Sequence, residues 1–285
     1  MEETRLMLSV AKAAARDASD LILYANETDR KSSNKSTITD LVTETDKKAE
    51  QVIIDDILAK FPDHNILAEE TGETTSNSEY LWVIDPLDGT TNFVHGLSPY
   101  CVSIALLKND KPLLSVISEL PSENLFWAIK GHGAFCNGDK ISVSKRSSIR
   151  DSLLITGFSY QHDSKWETNM KLFKHFTKIS HGVRRIGSAA ADLCYIACGQ
   201  ADGFWEIGLY PWDSAAGILL VQEAGGKVSR MDGNPYNIYN KQILATNSLI
   251  HDEMVNQMTA TLNGEITSYE FKNNLTEMTS SHFNL

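Results

Sequence analysis

The sequence has 285 residues, of which 42% are hydrophobic and 22% charged, a composition typical of a folded globular protein. Its formal net charge of −11 disfavours unspecific binding to nucleic acids and anionic membranes, because the long-range field repels polyanions. No apolar run approaches the roughly 20 residues of a membrane-spanning helix. Glu2 and Glu3 also argue against a signal peptide. We therefore expect a cytoplasmic protein that binds neither membranes nor nucleic acids.

The first half of the chain predicts two helices followed by strands. Apolar residues at helical spacing predict helices over 3–26 and 45–60, and the polar stretch over 29–39 predicts a loop. Short apolar runs predict strands over 66–68, 81–84, 101–107, 113–120 and 125–129. Because short turns separate the last of these runs, they favour an antiparallel sheet.

The second half alternates between strands and helices. Predicted strands over 153–156, 183–186 and 203–207 precede predicted helices over 166–177, 188–198 and 212–224. A last helix is expected over 248–262, and the tail from Asn263 is polar. This alternation predicts a layered α/β architecture in which helices cover the sheets.

The run Trp82–Asn92 is the most informative stretch of the chain. It contains two carboxylates three residues apart, Asp85 and Asp88, at the end of an apolar strand. Pro86 fixes its own φ and lacks an N–H, so we expect the strand to end there. Gly89 permits a tight turn that exposes backbone amides. Two acids beside free amides suit a hard cation that holds a phosphate, although an ordinary turn explains the same residues.

Five acidic residues follow predicted strands or begin predicted helices: Asp46, Glu69, Asp85, Asp88 and Asp213. Singly, each is more typical of a helix cap or a solvated strand end. Together at one rim they would repel one another, and divalent cations would relieve that repulsion. Oxygen ligands alone favour Mg²⁺, Mn²⁺ or Ca²⁺ over zinc, and two Mg²⁺ roughly 3.5–4 Å apart could bracket a phosphoryl group.

Other catalytic motifs are weak or missing. The sequence has no G-x-x-x-x-G-K-[ST] phosphate loop and no H-E-x-x-H zinc motif. Gly157-Phe158-Ser159 lacks the second glycine of a nucleophile elbow, because Gln161 occupies that position. Gly131-His132-Gly133 lacks the third glycine of a dinucleotide fingerprint.

Taken together, these segments resemble the inositol monophosphatase family. Asp85–Phe93 resembles its first signature, and Trp212–Gly217 with Glu223–Gly226 resembles its second. Supporting segments are 40–46, 68–70 and 131–138, and the resemblance extends over roughly residues 5–262. Two signatures in the expected order at this separation are a specific signal.

The resemblance implies a five-layer αβαβα sandwich and a phosphatase that requires two or three Mg²⁺ per active site. It also implies inhibition by lithium and often a homodimer. We expect one phosphatase domain over 1–262, with an N-terminal α+β part over about 1–150 and a C-terminal α/β part over about 151–262. The resemblance suggests no role for the tail over 263–285.

The resemblance also implies metal ligands. Glu69, Asp85 and the carbonyl of Leu87 would hold a first metal, and Asp85, Asp88 and Asp213 a second. A third, weaker Mg²⁺ would use Glu69 through water.

Further residues are implied for water activation and substrate binding. Asp46 and Thr90 would orient or deprotonate the attacking water, and the amides of Gly89 and Thr90 would hold the phosphate. The polyol would contact Asp88, Glu206 and the segment Gly187-Ser188-Ala189. Many relatives have Thr where this chain has Ser188, but both residues keep a hydroxyl.

The substrate is the least determined feature. We favour myo-inositol monophosphate because Thr91-Asn92 after the D-G-T segment lacks the charged residue or Lys-Ser of some relatives. Fructose 1,6-bisphosphate, histidinol phosphate and 3′-phosphoadenosine 5′-phosphate are alternative substrates for the same chemistry. A non-catalytic scaffold or a calcium-binding structural protein is a different class of function, and neither would need Thr90.

Overall fold

The computed structural model describes residues 2–28, 32–34, 41–74, 76–159 and 162–264. The helices are α1 (Glu2–Thr28), α2 (Glu44–Leu58), α3 (Thr90–His95), α4 (Ser164–Ile179), α5 (Ala189–Ala197), α6 (Pro211–Glu223) and α7 (His251–Leu262), and a 3-10 turn covers Ile149–Asp151. The strands of the first half are β1 (Ser32–Asn34), β2 (Leu41–Thr43), β3 (Asn65–Ala68), β4 (Gly72–Thr74), β5 (Tyr80–Asp88), β6 (Tyr100–Lys108), β7 (Lys111–Leu120), β8 (Asn124–Ile129), β9 (Gly133–Cys136) and β10 (Asp139–Lys140). Those of the second half are β11 (Leu153–Thr156), β12 (Gly182–Arg184), β13 (Gly203–Ile207), β14 (Lys227–Ser229) and β15 (Gln242–Thr246).

Two large sheets form the framework. The first has eight strands in the order β10-β9-β8-β7-β6-β5-β3-β4, and the second has five in the order β12-β11-β13-β15-β14. The first sheet is antiparallel, as expected for its central strands, apart from the parallel pair β3 and β5. In the second sheet β11 runs parallel to β12 and β13. A separate small ladder joins β1 and β2.

Helices cover both sheets and fill the space between them. Helices α1 and α2 pack on one face of the eight-stranded sheet, and α4 and α7 pack together beside the five-stranded sheet. Helices α5 and α6 contact strands of both sheets. The layers therefore follow the αβαβα order that the resemblance implied, because each sheet has two apolar faces to bury.

The middle layer is packed unusually closely. A Cβ at Gly217 of α6 would lie 2.3 Å from Leu193 Cδ1 of α5, so only glycine permits this approach of the two helices. Both helices are buried on nearly all sides. Their N-termini, at Ser188 and Tyr210, are thereby brought to the same edge of the sheets.

Several predicted boundaries were wrong. Strand β5 does not end before Pro86: its pairing with β6 skips Pro86 and Leu87 and resumes at Asp88 opposite Cys101. A bulge therefore accommodates the missing N–H instead of ending the strand. The last helix begins at His251 rather than at residue 248, because Asn247 Oδ1 accepts from the amides of Leu249 and Ile250 in a preceding turn.

Other differences concern short elements. Strands β2, β4, β9, β10, β14 and β15 were not predicted, because each is at most five residues long and depends on pairing with neighbouring strands. Within the predicted loop over 29–39, the segment Ser32–Asn34 is strand β1, while the remaining residues lie outside the described part of the chain. The tail also lies outside the described part of the chain, apart from Asn263 and Gly264.

No helix among the described residues is long and apolar enough to cross a lipid bilayer.

Candidate active site

A cavity of about 210 Å³ opens where the two sheets and the N-termini of α3, α5 and α6 meet. Every residue implied for the site lines this cavity except Asp46: these are Glu69, Asp85, Leu87, Asp88, Gly89, Thr90, Gly187, Ser188, Ala189, Glu206 and Asp213. Asp46 lies fully buried, in contact with Thr90. The fold thus brings together residues that are up to 167 positions apart (46 to 213). Their chemical roles remain predictions.

Strand register places the first two carboxylates side by side. Ala68 of β3 pairs in parallel with Ile84 of β5, so Glu69 and Asp85 follow at the same end of the sheet. The Glu69 amide donates to the Ile84 carbonyl at 3.2 Å, which extends the pairing by one residue. The Leu87 amide donates to Asp85 Oδ1 at 3.1 Å and orients that carboxylate within the bulge.

Asp88 is held by the N-terminus of α5. Its Oδ2 accepts from the Ser188 hydroxyl at 2.6 Å and from the Ala190 amide at 2.7 Å. Ser188 also caps α5 by accepting from the Ala191 amide. A predicted substrate-binding segment therefore has a second function that the sequence did not indicate, namely orienting a predicted metal ligand.

Asp213 is held in a similar way in the first turn of α6. Its Oδ2 accepts from the Tyr210 amide at 2.7 Å, and Pro211 at the first helical position needs no amide partner. The positive end of the helix dipole favours a carboxylate at this position. Local helix-start chemistry thus determines where this acid points.

Thr90 connects the cavity with Asp46. The Thr90 hydroxyl lies 3.0 Å from Asp46 Oδ1 and 3.1 Å from the Leu87 carbonyl, both acceptors. Thr90 is the first residue of α3, and Asp46 lies in the first turn of α2. The hydroxyl oxygen of Thr90 therefore keeps lone pairs for a donor in the cavity, such as water.

Crowding of the carboxylates changes their acidity. Burial raises the pKa of Asp85 well above its usual range, and the charges of Glu69, Asp88 and Asp213 raise it further. Burial raises the pKa of Asp88 to about 6, although the hydrogen bonds that it accepts oppose this rise. Burial and the charge of Asp88 likewise raise the pKa of Asp213 well above its usual range. A positive charge in the cavity would reverse these shifts.

The donor set is suited to a hard divalent cation. All of its side chains are carboxylates, and the mutual effect on their pKa values shows that they lie within one another's field. No three acidic, histidine or cysteine side chains among the described residues already converge as a preformed set of metal ligands. This agrees with the hydrogen bonds above, which turn Asp88 and Asp213 toward backbone donors. Mg²⁺ takes oxygen ligands of this kind.

The opposite wall of the cavity is built around Glu206 at the end of β13. Burial raises the pKa of Glu206 to about 8, and the negative charge of Asp88 adds to this rise. The positive charge of Arg185 opposes it. A Cβ at Gly157 would lie 2.1 Å from Glu206 Oε2, so the Glu206 carboxyl packs directly on backbone. This wall is therefore rigid and polar, in keeping with a site for a substrate that carries hydroxyl groups.

Sequence reasoning missed two residues that support the site. Glu50 is 1% exposed, and its carboxylate accepts from the amides of Glu70 and Thr71 at 2.7 and 2.8 Å, which holds the segment after Glu69. Asn92 Nδ2 donates to the carbonyls of Pro99 and Ile186 and joins two loops of the cavity. A signal existed for Glu50, because it shares the apolar face of α2 with Ile53 and Ile57.

A third missed residue is Asp192, which lines the cavity from α5. It is an acid in the otherwise apolar helix AAADLCYIA, and it is 1% exposed. A charged residue inside such a segment is itself a signal that could have been used.

The comparison with protein families agrees with this geometry. The family model described as "Inositol monophosphatase family" matches residues 3–263. The chain belongs to the inositol monophosphatase family. It is therefore a phosphatase and acts on small phosphorylated substrates.

Individual relatives of this inositol monophosphatase family member differ in name. The inositol-1-monophosphatase of Synechocystis sp. is 47% identical over 223 residues, covering 78% of this chain and 78% of that protein. The Nus factor SuhB of Pseudomonas aeruginosa is 41% identical over 248 residues, covering 85% of this chain and 92% of that protein. The names of the relatives thus support the family without determining one substrate.

A solved structure confirms the fold class. The inositol monophosphatase of Anabaena (Nostoc) sp. PCC 7120 superimposes with a TM-score of 0.81 at 42% identity, covering 90% of this chain and 96% of that one.

Proposed function

We propose that this phosphatase hydrolyses myo-inositol monophosphate to inositol and phosphate, with Mg²⁺ as its cofactor. One observation supports this proposal most strongly. The Thr90 hydroxyl lies 3.0 Å from Asp46 and faces the same cavity as Glu69, Asp85 and Asp213. A structural calcium site would need the carboxylates but not this hydroxyl–carboxylate pair, and a scaffold would need neither.

The pair provides a route for a proton. Asp46 accepts the hydroxyl proton of Thr90, so the Thr90 oxygen can accept a hydrogen bond from water in the cavity. As that water attacks phosphorus, its proton passes to Thr90 while the Thr90 proton moves toward Asp46. Complete burial of Asp46 keeps bulk water away from the accepting oxygen.

The proposed metal ligands are Glu69, Asp85, the Leu87 carbonyl, Asp88 and Asp213. When bound, Mg²⁺ supplies Lewis-acid stabilisation of phosphate charge and makes water more acidic. The amides of Gly89 and Thr90, at the start of α3, are proposed to donate to the phosphate oxygens. Gly89 has φ +89°, and a Cβ there would lie 3.2 Å from Gly187 O, so glycine permits close approach of the phosphate-binding turn.

The polyol is proposed to occupy the wall formed by Glu206 and the segment Gly187-Ser188-Ala189. Glu206 is positioned to bind ring hydroxyls, which both donate and accept hydrogen bonds. The Ser188 hydroxyl already donates to Asp88, so we propose that Ser188 acts chiefly by orienting that carboxylate.

Phosphate release from a panel of substrates tests the proposal. The panel contains inositol 1-phosphate, fructose 1,6-bisphosphate, histidinol phosphate and 3′-phosphoadenosine 5′-phosphate, each with and without Mg²⁺ and with added Li⁺. We expect Mg²⁺-dependent, Li⁺-inhibited release, fastest from inositol 1-phosphate. Preference for another member would retain the chemistry and replace the substrate, whereas no release from any of them would contradict the proposal.

Two further properties are proposed. The family resemblance suggests a homodimer, which sedimentation equilibrium would test directly. A cytoplasmic location is proposed as well, and fractionation of cells would test it.

A further inference from the structure

Asp192 is a buried acid whose presence the proposed chemistry does not explain. It is the fourth residue of α5 and is 1% exposed, yet it belongs to the cavity wall. Its Oδ1 has no hydrogen-bond partner among the described residues. Leaving a buried polar atom unpaired destabilises the folded state, so such an atom requires an explanation.

The surroundings of Asp192 do not supply a partner. The charged groups that face it are Glu206, Asp88 and Arg185, and burial together with the two acids raises the pKa of Asp192 well above its usual range. Arg185 opposes this rise, but no ion pair between Arg185 and Asp192 occurs within the described part of the chain. The ordinary structural reasons for a buried aspartate, a helix cap or a salt bridge, are therefore both missing.

The position of Asp192 relative to its neighbours indicates a role in the cavity. Asp88 is bound to α5 through Ser188 and Ala190, and Asp192 lies two residues further along the same helix. Glu206 approaches from β13, with its carboxyl packed on Gly157. Two carboxyl groups from different elements thus line the end of the cavity beyond Asp88.

We propose that Asp192 is a specificity-determining residue that hydrogen-bonds a ring hydroxyl of the polyol beside the hydroxyl bound by Glu206. This inference rests on the proposed function. Neighbouring hydroxyls on a ring present two donors and several acceptors, and two carboxyl groups can pair with both. The bound substrate then supplies a partner for the Asp192 carboxyl group, which lines the cavity.

Replacement by leucine separates this role from a structural one. Leucine has a similar branched shape but no polar atoms, so Asp192→Leu removes the hydrogen bond and also a buried unpaired carboxyl. We expect the Tm to rise or stay unchanged, since the folded protein no longer buries that group. A residue needed for folding would instead lower the Tm.

The kinetic test compares two phosphate esters of six-membered rings. For inositol 1-phosphate, we expect Asp192→Leu to reduce kcat/KM by at least roughly tenfold, mainly through KM, as a lost hydrogen bond to a charged or polar group does. For cyclohexyl phosphate, which lacks ring hydroxyls, we expect the Ki as an inhibitor to change less than twofold. Asp192→Asn, which keeps an acceptor and a donor, should lie between wild type and Asp192→Leu.

A control and the outcomes complete the experiment. Ile196→Val alters the same helix outside the cavity and should leave both constants unchanged. If wild type does not hydrolyse inositol 1-phosphate, the proposed function and this inference both fail. If wild type is active but Asp192→Leu changes kcat/KM for inositol 1-phosphate and Ki for cyclohexyl phosphate by the same factor, or changes neither, only the role of Asp192 is overturned.

Discussion

Thr90 gains its proposed reactivity from its neighbours, not from its own acidity. Its hydroxyl faces two acceptors, Asp46 Oδ1 and the Leu87 carbonyl, so its proton is directed to one of them and its lone pairs remain for a donor. A threonine hydroxyl is otherwise a weak acid and a weak base. The local turn at Gly89 and the start of α3 are what bring the oxygen to the cavity wall.

Replacement of Thr90 tests this arrangement. Thr90→Val keeps the shape of the side chain but removes the hydroxyl, and we expect kcat to fall by roughly 10²–10⁴-fold, the usual range for lost general acid–base assistance. Thr90→Ser keeps the hydroxyl and should retain most activity. Steady-state kinetics with saturating Mg²⁺ would check both variants, and a Thr90→Val enzyme within tenfold of wild type would exclude the proton route.

Glu50 illustrates how a residue outside the cavity can determine its geometry. Its carboxylate accepts two amide hydrogen bonds from the segment directly after Glu69. Charge-assisted hydrogen bonds of this kind are stronger than neutral ones. Glu50 is therefore expected to position Glu69 without touching substrate.

We expect Glu50→Gln to lower the free energy of unfolding by about 1–3 kcal/mol, because the amide side chain has only one acceptor for two N–H groups. Urea denaturation measures this loss. The Mg²⁺ concentration for half-maximal activity should also rise, since Glu69 becomes less ordered. Glu73→Gln alters an exposed residue of β4 nearby and should change neither quantity. Unchanged Mg²⁺ dependence in Glu50→Gln would limit Glu50 to a structural role.

At the scale of elements, His251 joins α7 to the second sheet. Its two ring nitrogens lie 2.9 Å from the hydroxyls of Ser229 in β14 and Thr246 in β15. The side chain is almost fully buried, and burial lowers the pKa of His251 to about 4. The folded state therefore favours the neutral imidazole, at a position that does not line the cavity.

This lowered pKa has a defined consequence for stability. An unfolded histidine titrates near pH 6.5, so between pH 6.5 and about 4 the unfolded chain binds a proton that the folded protein does not. The stabilising contribution is fully present above pH 6.5 and is lost as the pH falls through this window, by up to roughly 3 kcal/mol. Chemical denaturation of wild type and His251→Gln at pH 7.5 and pH 5 measures it. Wild type should lose more stability than the variant, and equal losses would contradict the prediction.

Elements also show where sequence patterns were sufficient. Helices α1, α2, α4 and α6 were predicted within a few residues, because their apolar faces recur at helical spacing. Strands β14 and β15 were missed, because they are short and gain their stability by pairing with each other and with β13. Propensity alone carries little information where long-range pairing decides.

At the scale of the whole molecule, the acidic cavity lies within a chain of net charge −11. Neighbouring carboxylates contribute to the raised pKa values of Asp85 and Asp213, and the surrounding charge has the same sign. This arrangement weakens the folded protein unless cations are bound.

Mg²⁺ should therefore stabilise the folded protein. We expect the Tm to rise with Mg²⁺ concentration, because a cation that binds the folded state and not the unfolded state stabilises the former. Asp85→Asn removes a carboxylate that has three acidic neighbours. We expect it to abolish turnover and most of the Mg²⁺-dependent rise in Tm while leaving the metal-free Tm equal or higher. Differential scanning fluorimetry with EDTA or Mg²⁺ measures this. A Mg²⁺ response in Asp85→Asn equal to that of wild type would contradict the assignment of Asp85.

The sequence by itself determined the class of the protein and most of its predicted site. Asp85, Asp88, Thr90 and Asp213 lie in short segments whose residue types reflect local chemistry: a strand end, a glycine turn and helix starts. Such local chemistry depends on residues a few positions away, so the sequence alone can indicate it. The two signatures were therefore enough to indicate the family.

Only the tertiary structure decided how these segments act together. The register of β3 against β5 sets Glu69 beside Asp85, and the glycine contact between α5 and α6 aligns the helix starts that hold Asp88 and Asp213. The hydrogen bonds of Glu50 and the missing partner of Asp192 Oδ1 became known only from the structure. Burial and long-range pairing are properties of the packed chain, and no local pattern contains them.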